Sequence, residues 1–363
     1  MSPSSSSPIP VTLLTGFLGS GKTTILNHLV RQPELADALV IINEFGEMPL
    51  DHLLVAHSTE NTILEMSSGC LCCTIRTDLV QTLRDITWRF SRNGQRQFRR
   101  VLIETTGLAD PAPIVHTLMT HPQLAQRYRL DGIVVALDLA AGNATLDHHP
   151  EAVRQAAIAD CLLLTKSDLA DAEARRTLLR RLDAINPAAP RHEARHGAIA
   201  AGAVLDLGLF SAEGKVPDVM RWLHEEAYAA DAPHHGLAHP GGHGHGHDHH
   251  DHDAHRHDDH IRAFCFAVND PIPVARLAAW LEVLRSLSGP DVLRVKGILN
   301  VEGQYQPLVI HSVQHIVHPP VTLPAWPSAD RRSRLVFITQ GVSRATIEAA
   351  LQSCLQNDSR PEP

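Results

Sequence analysis

The sequence has few of the features that mark secreted, membrane-spanning or nucleic-acid-binding proteins. It holds only six cysteines in 363 residues, and their uneven spread does not suit a disulfide framework. No apolar run approaches the roughly 20 residues that a membrane-spanning helix needs, and the first residues lack the pattern of a secretory signal. Lysines and arginines are scattered and the formal charge is -8, so no basic surface for nucleic acid is indicated. We expect a cytoplasmic protein whose partners include neither nucleic acid nor membrane.

Apolar segments alternate with helical ones over the first 230 residues. Uninterrupted apolar strands are typical of a parallel sheet that is covered on both faces, and the alternation predicts a doubly wound α/β domain over residues 8–230. The predicted strands are Val11–Thr15, Leu39–Asn43, Val101–Glu104, Ile133–Leu137 and Cys161–Thr165. The predicted helices are Thr24–Val30, Asp78–Phe90, Pro111–Met119 and Asp171–Ile185.

Residues 231–260 separate this domain from a second one. The segment is rich in His, Asp and Gly, contains twelve of the 25 histidines and has little with which to build a core, so we predict a flexible linker. Residues 261–363 are expected to form a small α+β domain with a largely antiparallel sheet. Its predicted strands are Ile261–Val268, Val292–Val301, Leu308–Val317 and Leu335–Thr339, and its predicted helices are Val274–Leu287 and Arg344–Cys354.

Residues 16–23 match the phosphate-loop pattern G-x-x-x-x-G-K-[ST] between an apolar strand and a helix. Glycines let backbone N–H groups surround phosphate oxygens at a helix N-terminus, Lys22 reaches the β- and γ-phosphates, and the Thr23 hydroxyl binds Mg²⁺. A chance glycine-rich turn is the alternative, and the strand and helix on either side argue against it. The predicted nucleotide-binding residues of the loop are Gly16, Gly19, Ser20, Gly21, Lys22, Thr23 and Thr24.

Glu104 ends a later apolar strand, and Gly107 follows three residues on. Nucleotide hydrolases have a metal-linked acid and a γ-phosphate sensor at such positions, and ligands of parallel sheets collect at the carboxyl ends of the strands. By itself the pattern is common. In order behind a phosphate loop, it predicts Lys22, Thr23 and Glu104 as the catalytic residues and Gly107 as a γ-phosphate contact.

A third strand end carries Thr165, Lys166 and Asp168. The segment differs by one residue from Asn-Lys-x-Asp, in which the Asp carboxylate accepts hydrogen bonds from N1 and N2 of guanine. Adenine lacks that pair of donors, so GTP is the expected nucleotide. The alternatives are ATP, or a surface turn without base contact.

Three cysteines, Cys70, Cys72 and Cys73, lie between the phosphate loop and Glu104. A disulfide between such close neighbours is strained, whereas two or three thiolates can bind one soft ion such as Zn²⁺ with a further ligand from elsewhere. Co²⁺ and Ni²⁺ are alternatives to zinc as the bound ion, and buried apolar thiols or a redox pair are alternatives to a metal site. Because this stretch of a nucleotide hydrolase holds switch segments, metal affinity is expected to depend on the bound nucleotide.

Further histidines and carboxylates are weaker candidates. Glu47, and Glu44 before it, follow another strand and are either metal ligands or solvated loop charges. His121 is a possible fourth ligand, although a helix-end residue is the more usual interpretation. The histidines of residues 243–252 alternate with Gly and Asp, which favours a metal reservoir over an inert linker.

Two other sets of residues are expected to be structural. For His311, His315 and His318 an exposed strand face is the expected setting. Cys161, Cys265 and Cys354 are expected to be packing residues.

The sequence resembles the CobW family of metal-trafficking P-loop GTPases. Its matching motifs are Gly-Phe-Leu-Gly-Ser-Gly-Lys-Thr-Thr, Asn-Glu-Phe-Gly-Glu, Ser-Gly-Cys-Leu-Cys-Cys-Thr, Glu-Thr-Thr-Gly-Leu-Ala-Asp-Pro and Thr-Lys-Ser-Asp, with Leu-Arg-Val-Lys-Gly-Ile-Leu-Asn near the C-terminus. The resemblance implies GTP hydrolysis with Mg²⁺, metal binding by the three cysteines, and delivery of the metal to a client metalloprotein. Thr165 departs from the commoner Asn, and here it is expected to support the loop while Asp168 contacts the base.

Two other hypotheses about the function stay open. One is a metal-storage or sensor protein in which the nucleotide is only regulatory. The other is a small-molecule kinase, which would have no use for the cysteine motif. No pattern specifies the oligomeric state, so a homodimer is open, and nothing names the client.

Overall fold

The computed structural model describes residues 8–42, 63–65, 73–93, 95–207 and 261–356. Predictions for Glu44, Glu47, Cys70 and Cys72, and for the linker at 231–260, lie outside the described residues. The predicted limits of the domains at 230 and 363 lie outside them as well.

The first domain is built on a parallel sheet, as predicted. Its strands are β1 (Ile9–Thr15), β2 (Ala38–Ile42), β3 (Ile63–Glu65), β4 (Ser91–Arg92), β5 (Gln95–Arg96), β6 (Arg100–Glu104), β7 (Tyr128–Asp138), β8 (Cys161–Thr165) and β9 (Arg191–Ala194). Among the described residues, β4 and β5 form a small hairpin, and the other seven strands pair in parallel in the order β3-β2-β6-β1-β7-β8-β9. The phosphate loop begins at the end of β1, the central strand, which has β6, β2 and β3 on one side and β7, β8 and β9 on the other.

Helices cover both faces of this sheet because its strands are apolar on both sides. They are α1 (Lys22–Leu29), α2 (Cys73–Arg89), α3 (Ala112–Thr120), α4 (Pro122–Ala125), α5 (Gly142–His148), α6 (Pro150–Ile158) and α7 (Ala172–Ile185). Alternation along β1 illustrates the two layers: Leu13 belongs to the core that includes α2, α3, α6 and α7, whereas Leu14 packs with α1.

The second domain has an antiparallel sheet, also as predicted. Its elements are β10 (Ile261–Val268), α8 (Val274–Leu287), β11 (Val292–Leu299), β12 (Leu308–Val313), β13 (Ile316–Val317), β14 (Val321–Thr322), β15 (Ser333–Gln340) and α9 (Arg344–Gln356). The strand order is β10-β15-β11-β12-β13, with β14 beside β12. One face packs against α8 and α9 through Phe264, Trp280, Phe337 and Ile347.

The other face of the second sheet packs against the first domain. Leu293, Val313, Ile316 and Ile338 belong to the same buried cluster as the strands of the first sheet. A single apolar core therefore continues from one domain into the other, and α3, α6 and α7 lie along the boundary.

Several predicted elements differ from the structure. The strand predicted at Leu308–Val317 is two strands, because Gln314 takes a left-handed φ of 49° and turns the chain. The strand predicted at Ile133–Leu137 begins at Tyr128, since pairing with β1 extends it through polar residues. Helices α5 and α6 are not among the predicted elements, and each is a short helix, of 7 and 9 residues.

The expectation of an exposed face for the late histidines is wrong for two of the three. His311 and His318 are buried, with their rings stacked at a centroid distance of 4.5 Å, and only His315 is exposed, in the turn between β12 and β13. They are buried because this side of β12 packs against the first domain, a contact that exists only in the tertiary structure. Cys161 is buried in the first core, as predicted, while Cys265 and Cys354 are half-buried and packed beside apolar clusters.

Candidate nucleotide-binding site

The phosphate loop connects the end of β1 to the start of α1. Gly16 has a φ of 136°, and a Cβ at this position would lie 2.3 Å from the carbonyl oxygen of Ala136 on β7. A side chain is therefore excluded both by backbone conformation and by space. Gly21 also has a positive φ and precedes the first residue of α1, so the N–H groups of that helix end face the loop, as anion binding requires.

Lys22 is buried and folds back over the loop. Its Nζ donates to the carbonyl oxygens of Gly16 at 3.0 Å and Phe17 at 3.2 Å. The ammonium group thus lies at the concave side of the loop, where phosphate oxygens would replace these carbonyls as acceptors. This position matches the role that the sequence analysis predicts for Lys22.

Thr23 and Glu104 come together although 81 residues separate them. Thr23 Oγ1 donates to Glu104 Oε1 at 2.8 Å, and Glu104 is buried at the end of β6. A hydroxyl and a carboxylate beside a phosphate loop are hard oxygen ligands, the donor type that Mg²⁺ prefers. The residues present therefore fit a magnesium ion, which Thr23 and Glu104 would hold beside the phosphates.

Gly107 packs directly against the phosphate loop. A Cβ on Gly107 would lie 2.5 Å from the backbone nitrogen of Leu18. Thr105, two residues before Gly107, is fixed to β1. Its backbone nitrogen donates to Leu14 O at 3.0 Å, and its hydroxyl donates to Thr15 Oγ1 at 2.7 Å. The predicted γ-phosphate contact thus lies next to the loop that would bind that phosphate.

Gln155 is a residue of the site that sequence reasoning missed. Its side chain, 1% exposed, donates from Nε2 to the carbonyl oxygens of Gly107 at 3.2 Å and Ala109 at 2.9 Å. A glutamine in a short helix carries no sequence signal for such a role.

Thr165 joins the end of β8 to the phosphate loop. Its buried hydroxyl contacts Ser20 O at 2.8 Å and Leu137 O at 3.1 Å. These contacts agree with the expected supporting role of Thr165 in place of Asn. Ser20 itself is buried, and Thr24 lies in the first turn of α1.

Lys166 and Asp168 follow at the same edge. Lys166 has a φ of 53° and pairs with Asp138 at 2.8 Å, while Asp168 is exposed. The Asp138 carboxylate also accepts from the backbone nitrogens of Ala140 and Ala141. The turn therefore has an exposed carboxylate at the place where the predicted base contact is needed.

Comparison with known proteins agrees with this geometry. Residues 10–193 match the family described as CobW/HypB/UreG, nucleotide-binding domain, and residues 261–355 match the cobalamin synthesis protein CobW C-terminal domain. The chain belongs to this family. The resemblance to CobW proteins, and with it the prediction of a P-loop GTPase, is confirmed at family level.

Individual CobW proteins resemble the chain along almost its whole length. The zinc chaperone YjiA of Escherichia coli is 32% identical over 343 residues, which cover 94% of this chain and 98% of that protein. The zinc chaperone CobW of a Sinorhizobium species is 29% identical, covering 94% and 96%. The crystal structure of Zn(II)-bound YjiA GTPase from E. coli superposes with a TM-score of 0.66 at 29% identity, covering 97% of this chain and all of that one.

The predicted metal ligands of this CobW-family chain are mostly outside the described residues. Of the three cysteines, only the backbone of Cys73 is described, as the first residue of α2. Within the described ranges, no group of three His, Cys, Asp or Glu side chains is arranged to hold a metal. His121 lies between α3 and α4, with Nδ1 buried and lacking a hydrogen-bond partner in the described structure. This position at the end of α3 is the helix-end setting that the sequence favours, and a role as fourth ligand stays the alternative prediction.

The structure also bears on the membrane prediction. None of the described helices is long and apolar enough to span a bilayer.

Proposed function

We propose that this chain is a GTP-hydrolysing metallochaperone that binds zinc through Cys70, Cys72 and Cys73 and delivers it to a client metalloprotein. GTP hydrolysis would alter the geometry of the cysteine segment and so release the ion. Cobalt, nickel or iron is the alternative cargo. The relatives named zinc chaperones, and the zinc-bound YjiA structure, support zinc.

One observation carries the proposal: the strand before the cysteine segment and the strand that carries the predicted catalytic residue Glu104 end at the same edge of the sheet. Ile42, the last residue of β2, is paired in register with Glu65 on one side and with Glu104 on the other. Strands in a sheet are about 4.8 Å apart, so the backbone of Glu65 lies about 10 Å from that of Glu104. Cys70 is five residues beyond Glu65 in sequence, well within reach of the nucleotide site.

Chemistry at the site follows from the described side chains. Lys22 would bind the β- and γ-phosphates, and Thr23 and Glu104 would hold Mg²⁺, which neutralises charge on the phosphates when it is bound. Gly107 would offer its N–H to the γ-phosphate, and Asp168 would accept from guanine. Hydrolysis of this type depends mostly on positioning and charge stabilisation.

The deciding experiment measures zinc affinity of the full-length protein by competition with a chromogenic chelator. Three states are compared, with Mg²⁺ present: nucleotide-free, GDP-bound, and bound to a non-hydrolysable GTP analogue. We expect the GDP and GTP-analogue states to differ at least about tenfold in affinity, which corresponds to a coupling free energy of about 1.4 kcal/mol. Equal affinities in the three states would overturn nucleotide-driven delivery and favour a storage protein.

Variants separate the cysteine motif from the histidine-rich segment. The double substitution Cys72→Ser and Cys73→Ser should remove the tight zinc site but leave nucleotide affinity unchanged, and any zinc it still binds reports on the histidines. Cys354→Ser, in α9 of the second domain, is the matched control and should bind zinc like the wild type. Loss of nucleotide and zinc binding together would indicate structural cysteines.

A further inference from the structure

The loop from Gly107 to Asp110 is held by side chains from two directions. Because Gly107 packs on Leu18 of the phosphate loop, any group that fixes this loop also fixes the distance between the Gly107 amide and the bound phosphates. The first such group is Gln155 on α6. Its Nε2 donates to the carbonyl oxygens of Gly107 and Ala109 and so restrains both residues.

The second group comes from the C-terminal domain. Gln314, in the turn between β12 and β13, donates from Nε2 to Asp110 Oδ2 at 3.1 Å. The other carboxylate oxygen of Asp110 accepts from the backbone nitrogen of Ala112 at 2.9 Å, at the start of α3. Next to it, the ring of His315 lies 5.2 Å from that of His116 on α3. The turn thus contacts both the loop and the helix that follows it.

The two attachments meet in the same domain. The Arg294 guanidinium on β11 donates to the carbonyl oxygen of Ile158, the last residue of α6, and Arg294 also pairs with Asp160. Arg154, one residue before Gln155, donates to Gln340 of β15 at 3.3 Å. Both supports of the Gly107 loop are therefore themselves held by the C-terminal sheet.

We propose that the C-terminal domain takes part in GTP hydrolysis by positioning the Gly107–Asp110 loop, with Gln314 and Gln155 as the positioning residues. A reaction that depends on orientation slows when a phosphate-contacting loop gains freedom, even if the nucleotide still binds. Among the described residues, the side-chain hydrogen bonds of the two glutamines go to the Gly107–Asp110 loop and not to the phosphate loop or the predicted base site. Their loss should therefore lower kcat and leave KM for GTP and the affinity for GDP near the wild-type values. This inference concerns the GTPase reaction and does not depend on zinc delivery.

The test measures single-turnover GTP hydrolysis by the full-length protein, so that product release does not limit the rate. A hydrogen bond to a charged group is stronger than one between neutral groups, and Gln314→Ala removes such a bond to Asp110. We expect this substitution to slow hydrolysis about tenfold. Gln314→Lys should restore the rate, since an ammonium group at this position can pair with Asp110. Gln352→Ala, at an exposed position on α9, is the control and should match the wild type.

A double-mutant cycle identifies the contact itself. If Gln314 acts through Asp110, the combination of Gln314→Ala with Asp110→Ala should be no slower than Asp110→Ala alone. Gln155→Ala should also slow hydrolysis relative to the wild type. An unchanged affinity for GDP would show that this variant is folded. A wild-type rate in Gln314→Ala, or independent effects in the double variant, would overturn the proposal.

Discussion

Thr165 shows how a single hydroxyl can organise a nucleotide site. It lies at the last position of β8, and its contacts with Ser20 O and Leu137 O connect three segments: the phosphate loop, the end of β7 and the predicted base-binding turn. Both acceptors are backbone carbonyl oxygens, so the contacts do not depend on the side chains of Ser20 and Leu137. We therefore expect Thr165 to affect nucleotide binding through the position of the phosphate loop.

Thr165→Val should weaken nucleotide binding. The substitution keeps the shape of the side chain but leaves two buried carbonyl oxygens without this donor, at a cost of about 1–3 kcal/mol. We expect the Kd for a fluorescent GDP analogue to rise about tenfold. Thr165→Ser, which keeps the hydroxyl, is the control and should bind almost normally. Equal affinity in Thr165→Val and the wild type would show that the hydroxyl has no supporting role.

At the scale of elements, the hairpin of β12 and β13 brings two histidines into a positively charged, buried setting. Burial lowers the pKa of His311 well below its usual value, and the neighbouring His318, Arg294 and Lys296 lower it further. Burial and Arg294 lower the pKa of His318 to about 3, against a smaller opposing effect of Asp160. Arg294 donates to His311 Nε2 at 3.1 Å, so this nitrogen is an acceptor and the ring is neutral.

Because of these lowered pKa values, we expect the folded protein to lose stability in acid. Below pH 6.5 the unfolded chain binds protons at both histidines, and the folded protein does not bind one at His318 until the pH nears 3. The free energy of unfolding should therefore be largest above pH 6.5 and fall as the pH decreases, by about 1.4 kcal/mol per pH unit for each histidine.

Urea unfolding of the full-length protein at several pH values between 4 and 7 measures this slope. His318→Phe keeps a ring beside His311 but cannot be protonated, so its stability should depend less on pH than that of the wild type. His148→Gln, at an exposed position on α5, should leave the slope unchanged. The same slope in His318→Phe and the wild type would contradict the prediction.

At the scale of the whole molecule, Asp160 is the charged centre of the domain boundary. It is buried and pairs with Arg294 and with Lys296 at 2.9 Å, and its second oxygen accepts from the Ile133 backbone nitrogen at 3.0 Å. Burial opposes ionisation, yet the two cations and these hydrogen bonds hold the pKa of Asp160 below its ordinary value. The two sheets therefore share an ion-pair network as well as an apolar core.

Asp160→Ala should weaken the coupling between the two domains, so that they unfold less cooperatively. The change leaves Arg294 and Lys296 buried without their carboxylate, and breaking a buried pair in this way costs about 3–5 kcal/mol. In differential scanning calorimetry we expect a lower Tm and a broader or divided transition. Glu173→Ala, which breaks an exposed pair with Arg176, is the control and should unfold like the wild type. An unchanged transition in Asp160→Ala would show that the apolar core alone joins the domains.

Much of the fold could be predicted because its signals are local. Ile261–Val268, Val274–Leu287 and Cys161–Thr165 have the predicted limits, since each is a continuous pattern between clear breaks. Elements whose limits depend on a neighbour were less predictable. β7 is extended by pairing with β1, and the strand predicted at Leu308–Val317 is divided where the turn at Gln314 meets the first domain.

The sequence by itself determined that this is a P-loop GTPase, because the phosphate loop and the predicted base-recognition turn are contiguous segments whose spacing is visible in one chain. It also determined the family, through motifs whose order is preserved along the chain. Only the tertiary structure decided that Gln155 contacts Gly107 across 48 residues and that Gln314 contacts Asp110 across 204. It also decided that His311 and His318 are buried. The physical reason is that these side chains acquire their partners when the second sheet packs on the first, and no local pattern records that contact.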